Sequence, residues 1–466
     1  MLKRKIYDRL LEWKSKPRHL PLLIKGQRQV GKTYIIRAFG EENYDHVVYI
    51  DFVRFPSLCR LFSGDLDITT LENVLSARFG DDSLVPGSTL IFFDEIQECP
   101  RARISLKTFA EDGRYDVIAS GSLIDVKEDE TCTFLPVGYE ERMTMYGLDF
   151  EEFLWATGTR DSMIDELRTS IRDKVPLNDA YYDSFDSRFR DFMLVGGMPA
   201  AVQAFVDTGS YREVRLVMDG IVSTVREDIG KYCSGVGRIK VEACFDSIPY
   251  QLAQSNKKFM YTNIGKELPE DDETVEDGSG RTASRMASRE YGDSLMWIKR
   301  AGIGNYCYGL SQPTFPPEEF ADKKRFKVYM SDTGMLLSRY ARRTRASILE
   351  WDYSVRAGAI VENEIAECLM KGGFGVFYFS STRGKDRMEI DFMVELGDDI
   401  VAVEVKSGKD RDAPSLGKIG RIYPDVRRRI KLERSNIYVD DEAEHYPLFA
   451  AAFMGEMAPE PSDPEL

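Results

Sequence analysis

Histidine is nearly missing from this chain. His19, His46 and His445 are the only three in 466 residues, and none lies near a candidate nucleophile. Ser-His-Asp catalysis and histidine-rich metal sites are therefore poorly supported. The seven cysteines (Cys59, Cys99, Cys132, Cys233, Cys244, Cys307, Cys368) stand singly with no CxxC spacing, which suits reduced, mostly buried thiols and no structural zinc. No uninterrupted apolar run approaches the length of a membrane span, and the N-terminal MLKRKIYDRLLEWK reads as a charged amphipathic helix without a signal-peptide core. The expectation is a cytoplasmic protein with no membrane partner. Positive charge is also in deficit: a formal net charge of −15 argues against nonspecific coating of nucleic acid, while leaving room for a local basic groove. Arg427, Arg428, Arg429, Lys431 and Arg434 crowd one segment, which reads either as such a groove or as a solvated helix or loop face.

What is present is sharper. The run Gly26, Gln27, Arg28, Gln29, Val30, Gly31, Lys32, Thr33 sits between the apolar LPLLI and the helix-like YIIRAF, and reads as a P-loop. A phosphate chain needs backbone N–H donors at close range, so two glycines bracket the loop and the following helix adds its positive end. Lys32 would neutralise the β- and γ-phosphates of ATP, and Thr33 would hold Mg²⁺. Downstream, TLIFFDE is an apolar strand with Asp94 and Glu95 at its end. Asp94 is expected in the Mg²⁺ shell and Glu95 as the general base that polarises water.

From Leu20 to about Arg142 strand-like runs (LPLLI, HVVYIDF, TLIFFDE, YDVIASGS, ERMTMYGL) alternate with helical segments, the pattern of a parallel α/β layer. Such a sheet gathers ligands at the carboxyl ends of its strands. Ser120 or Ser122, at the end of YDVIASGS, suits a γ-phosphate sensor; a turn of small residues is the other reading. The expected domains are 1–149, the P-loop ATPase core; 150–237, a helical lid; 238–335, a winged-helix-like region; 336–455, an α/β domain; and 456–466, a disordered tail. In the winged-helix-like region, Lys266, Arg281, Arg285 and Arg289 can meet DNA phosphates, or the hairpin can simply pack on its neighbours; the stretch KELPEDDETVEDGSGRTAS is acidic and loop-like.

In the last third, GAIVENEIAECLMKGG reads as a helix and GVFYFS, RMEIDFMVEL and DDIVAVEVKSG as strands. Asp391 interrupts one apolar strand; Glu404 and Lys406, two apart on the next, share a face. Together they reproduce a D…ExK arrangement in which two carboxylates bind Mg²⁺ and a lysine orients or activates water beside a phosphodiester. Glu362, on the preceding helix, could complete the shell. An ExK on an amphipathic strand is otherwise an ordinary surface ion pair.

GQRQVGKT, LIFFDEIQ, ASGS, FLPVGYEERMTMYGLDFEEFL, GGMP, VREDI, REYGDSLMWIKRAG, VYMSDTGML, IVENEIAE and EIDFMV…VAVEVKSG, in this order, resemble the prokaryotic AAA-type ATPases fused to a C-terminal domain of unknown function with a restriction-endonuclease-like core. The resemblance implies ATP hydrolysis at Lys32, Thr33, Asp94 and Glu95, and a nuclease-like site at Asp391, Glu404 and Lys406. Tyr139 departs from it, standing where relatives often carry a basic residue after PVG. Arg101 and Arg103 are candidates for an arginine finger by position only. Two functions follow as expectations: an ATPase whose nucleotide state controls a nuclease-like, DNA-binding domain, or a slow nucleotide switch that presents an inactive nuclease fold to a partner. That partner is expected to be a protein or DNA; assembly of the chain into a homo-oligomer is a separate expectation.

Overall fold

The computed structural model describes residues 2–122, 124, 138–233, 235–254, 256–264, 281–349, 357–382, 386–408 and 412–459. Cys132, Lys266 and most of the acidic stretch after it lie outside them, as do the side chains of Arg281, Arg285 and Arg289. The chain divides into two compact units, Met1–Gly147 with Arg300–Gly302, and Leu148–Lys299 with Ile303–Leu466.

The first unit is built on five strands: β1 (Leu22–Lys25), β2 (His46–Asp51), β3 (Thr89–Asp94), β4 (Asp116–Gly121) and β5 (Glu141–Thr144). They pair in the order β2-β3-β4-β1-β5, and every pairing is parallel. A parallel sheet is covered on both faces, which is why every residue of TLIFFD in β3 is buried. β4 lies between the strand that enters the P-loop and the strand that ends in Asp94. Phe52, Phe62, Phe93 and Phe109 fill one core, with Phe62 and Phe93 edge to face at 5.4 Å. Each buried ring contributes about 1.5–3 kcal/mol. Helices Lys32–Asn43, Ile68–Phe79 and Pro100–Asp112 connect the strands; Asp67 caps the second through the Thr70 N–H at 3.1 Å.

The second unit begins with the helices Phe150–Ala156, Asp161–Asp173, Asp179–Val195, Pro199–Thr208 and Tyr211–Tyr232. These were expected as a lid on the ATPase. Instead they pack into the same unit as the end of the chain: Phe150 meets Phe189 at 5.2 Å and Phe453 at 6.5 Å, and Arg168 bridges Glu151 and Glu456. The tail expected at 456–466 is corrected at its start, because Glu456 and the buried Met457 belong to the 3-10 segment Leu448–Met457; residues 460–466 lie outside the described residues.

Eight strands form the unit's sheet: β6 (Gly304–Leu310), β7 (Ala321–Met330), β8 (Val376–Ser381), β9 (Met388–Leu396), β10 (Asp399–Lys406), β11 (Arg428–Glu433), β12 (Tyr438–Val439) and β13 (Glu444–Pro447). Their order is β12-β13-β11-β10-β9-β8-β6-β7. The β6–β7 hairpin is therefore no free wing. β6 runs parallel to β8 and extends that sheet, so the boundary expected at 335/336 cuts through one continuous hydrogen-bonded layer. The helix Ala357–Lys371 precedes β8, β8–β9 and β9–β10 pair antiparallel, and the helix Pro414–Ile422 returns the chain so that β11 lies parallel to β10. The dense basic segment proves to be β11, with Arg428 paired to Glu444 at 2.8 Å and Lys431 to Glu433 at 3.2 Å. Among the described residues no helix is long and apolar enough to cross a membrane.

Candidate functional site

β1 ends at Lys25, and the loop that follows turns through Gln29 at φ 65° and Gly31 at φ 97° into the helix Lys32–Asn43. Left-handed backbone is natural for the glycine and strained for the glutamine. Gly26 is required by a close approach: a Cβ there would meet the Met145 carbonyl oxygen at 2.1 Å. Lys32 is buried beneath its own loop, its Nζ donating to the carbonyls of Gly26 at 2.9 Å and Gln27 at 3.0 Å. Burial pushes its pKa down to about 8, against the pull of Glu95 and Asp94.

Asp94 is the hub of the site. Its Oδ2 accepts from the Thr33 hydroxyl at 2.8 Å and the Tyr49 hydroxyl at 3.1 Å, and its Oδ1 from Ser120. Burial raises its pKa, while the Ser120 and Thr33 hydrogen bonds work the other way. Glu95 turns away in left-handed backbone, φ 53°, and its Oε2 accepts from Gln97 at 2.5 Å and Ser122 at 3.3 Å. Arg28 reaches the same Ser122 hydroxyl at 3.4 Å. The structure thus brings Thr33, Asp94 and Ser120 into direct contact, with Lys32 and Glu95 alongside. Ser120, a candidate phosphate sensor together with Ser122, holds the carboxylate of Asp94.

Tyr49 and Gln97 went unnoticed in the sequence. Tyr49 was readable in part, since it lies two residues before Asp51 on β2 and alternation puts both on one face. Both arginines after the second motif are engaged within the first unit. Arg103 is buried against Glu140 at 2.7 Å, and Arg101 donates to the carbonyls of Phe62 and Gly64.

At the other candidate site, the antiparallel register of β9 and β10 pairs Phe392 with Val403, so Asp391 and Glu404 follow as the next opposed pair. The Val405 N–H donates to Asp391 Oδ2 at 3.0 Å, and Lys406 Nζ lies 3.0 Å from Glu404 Oε1. Glu404 Oε2 is buried without a hydrogen-bond partner. Burial and then Asp391 push the Glu404 carboxyl up to about 8, which Lys406 partly offsets. Asp391 is likewise raised, by burial and then Glu362.

Glu362 does not complete a metal shell. Its Oε2 is bonded to Lys257, and its Oε1 accepts from Lys327 at 3.1 Å and Tyr329 at 2.6 Å. Burial alone would raise this carboxyl, yet Lys257 and Lys327 bring it down to about 2. Among the described residues no group of three or more His, Cys, Asp or Glu side chains is arranged to hold a metal ion. As folded, the centre does not fit the expected Mg²⁺, because the third carboxylate is engaged by two ammonium groups.

Residues 18–154 match a family model described as an AAA domain, and residues 186–345 and 357–450 match two described as domains of unknown function (DUF8612 and DUF4143). No curated protein matches the chain. Among solved structures, the chain is similar to a Walker-type ATPase of Pyrococcus abyssi at 15% identity and TM-score 0.40, covering 72% of this chain and 95% of that one. It is also similar to the ORC2 protein of Aeropyrum pernix, in ADPNP–ADP complexes (12%, TM-score 0.32, covering 76% and 91%), and to AMPPCP-bound DnaA from Aquifex aeolicus (14%, 0.29, 64% and 90%). The AAA match spans all five strands of the first sheet and the whole P-loop, so the chain is similar to an AAA domain over residues 18–154.

Proposed function

We propose that the protein is a Mg²⁺-dependent ATP hydrolase whose nucleotide state controls its second unit. The observation that carries the reading is the contact of Thr33, Asp94 and Ser120 at the carboxyl ends of parallel strands, beside a glycine-bracketed loop that opens a helix. The loop from Gly26 through Gln27, Arg28, Gln29, Val30 and Gly31 presents backbone N–H groups to the phosphates. Lys32 exchanges the carbonyls of Gly26 and Gln27 for phosphate oxygens. The Thr33 hydroxyl and Asp94 carboxylate form an oxygen-only donor pair that suits a hard cation, with Asp94 oriented by Ser120 and Tyr49. Mg²⁺ bound there would offset charge on the phosphate oxygens. Glu95, steadied by Gln97 and Ser122, takes the proton of the attacking water.

ATP turnover by the purified chain tests this. Lys32→Ala is expected to abolish hydrolysis, and Glu95→Gln to retain bound ATP while slowing turnover by roughly 10²-fold or more. Wild-type rates in Lys32→Ala would sink the assignment.

The helix-strand-strand-strand-helix-strand order of Ala357–Glu433, with Asp391, Glu404 and Lys406 on adjacent strands, supports a restriction-endonuclease-like core for the C-terminal part. Within the second unit we read residues 150–237 as a helical module and 238–335 as a winged-helix-like region whose hairpin joins that core. One observation favours a second reading, in which the nuclease fold binds DNA or a protein partner without cutting: Lys257 and Lys327 occupy Glu362. Supercoiled plasmid incubated with Mg²⁺ or Mn²⁺, with and without ATP, separates the two. Nicking lost in Asp391→Ala and Lys406→Ala identifies a nuclease; intact plasmid with ATP still hydrolysed identifies a platform.

A further inference from the structure

The expected metal centre of the second unit contains its own cations. Lys327, on β7, is fully buried, and its Nζ lies 3.1 Å from Glu362 and 3.3 Å from Glu389, over the ring of Tyr378 at 5.1 Å. Lys257 comes from the segment before β6, and its side chain keeps 23% of its surface in solvent while bonded to the other oxygen of Glu362. Both lysines act electrostatically on Asp391 as well. Lys406 holds Glu404, both on β10, next to the strand that carries Asp391. Glu362 is held by Lys257 and Lys327, Lys327 also faces Glu389, and Lys406 holds Glu404, so the acids of this centre already have ammonium partners in the place of a divalent ion.

We infer that Lys257 and Lys327 fill the cation position of this acidic centre with their ammonium groups, and that Lys257 is the removable one, so a divalent cation enters only when Lys257 is withdrawn. The asymmetry lies in the packing. Lys327 is enclosed between Glu362, Glu389 and an aromatic face, and extracting it would strand the buried Glu362 carboxylate. Lys257 is a flexible side chain with solvent on one side, and it can leave without dismantling the sheet. The buried, unpartnered Glu404 Oε2 is the polar atom that such a cation would satisfy. The inference rests on the nuclease-like reading of β8–β11 and adds a rule for when its acids become available.

The test is Mn²⁺ binding to the full chain without nucleotide, followed by electron paramagnetic resonance. Wild type is expected to show no Asp391-dependent Mn²⁺ site. Lys257→Ala is expected to gain one, with affinity raised roughly tenfold or more, and to lose it again in the double variant with Asp391→Asn. Lys257→Arg, which keeps the positive charge, is expected to behave as wild type. Thermal melts of each variant establish that it is folded; Lys327→Met is avoided as the primary probe because its site is fully buried. If wild type already binds Mn²⁺ through Asp391, the inference is overturned while the nuclease-like reading stands. If folded Lys257→Ala gains no site, the inference is again overturned; the nuclease-like reading falls with it if plasmid is neither nicked by wild type nor retained in a gel shift that Lys406→Ala weakens.

Discussion

The Thr33 hydroxyl donates to Asp94 Oδ2 at 2.8 Å, joining the first turn of the P-loop helix to the end of β3. The bond crosses between two segments far apart in sequence and fixes the oxygen pair proposed to hold Mg²⁺. Thr33→Val is expected to raise the Mg²⁺ concentration needed for half-maximal ATP hydrolysis by roughly 10–100-fold. Tyr49→Phe, which removes only a hydrogen bond to the same Asp94 oxygen, should shift it less. Mg²⁺ titrations of turnover distinguish the two.

Lys32 carries a proton question into ATP binding. Its pKa in the folded chain is about 8, against an ordinary 10.5, with burial as the main cause. Between those values the unfolded chain holds a proton that the folded chain has lost, so this group's contribution to stability rises with pH through that window. Phosphates arriving beside Lys32 favour the ammonium form. Binding of ATP at about pH 8.5 is therefore expected to take up a sizeable fraction of a proton, and almost none at about pH 6.5. Calorimetry in buffers of different ionisation heat measures this directly, and equal uptake at both pH values would contradict it.

Gly26 faces backbone on its crowded side. A Cβ at that position would sit 2.1 Å from the Met145 carbonyl oxygen, and Met145 is itself tied back by its N–H to the Lys25 carbonyl at 2.8 Å. Gly26→Ala must displace β5 or the loop, at a cost of about 1–3 kcal/mol. Urea unfolding is expected to show that loss together with weakened ATP binding.

Glu404 makes the second unit's stability fall as pH rises. Burial and then Asp391 lift its carboxyl from an ordinary 4.5 to about 8. Below 4.5 both folded and unfolded chains hold the proton. Between 4.5 and 8 the unfolded chain gives it up and the folded chain keeps it, so the stabilisation from this group is lost through that window. Glu404→Gln is expected to gain stability relative to wild type between pH 5 and pH 8, seen in urea midpoints at the two values. An unchanged difference would mean that Glu404 ionises normally.

What the chain wrote into its sequence is mostly local. Gly26 and Gly31 around four loop residues, with Lys32 and Thr33 opening a helix, carry their meaning in consecutive backbone, and TLIFFD announces a strand buried on both faces. The alternation of strand and helix therefore made the first sheet legible as a parallel layer, while the place of β4 between β1 and β3 came from the fold. The spacing of Glu404 and Lys406 likewise put them on one face of a strand.

Tertiary structure decided the rest, because it depends on which distant segments share a core or a hydrogen-bonded edge. The β6–β7 hairpin reads as a wing until β6 is seen beside β8. The 150–237 helices read as a lid until Phe150 is seen against Phe453. Most of all, nothing near Glu362 in sequence foretells that Lys257 and Lys327 take its carboxylate. Those three charges come from different elements, and burial in one low-dielectric interior requires that each find a partner there.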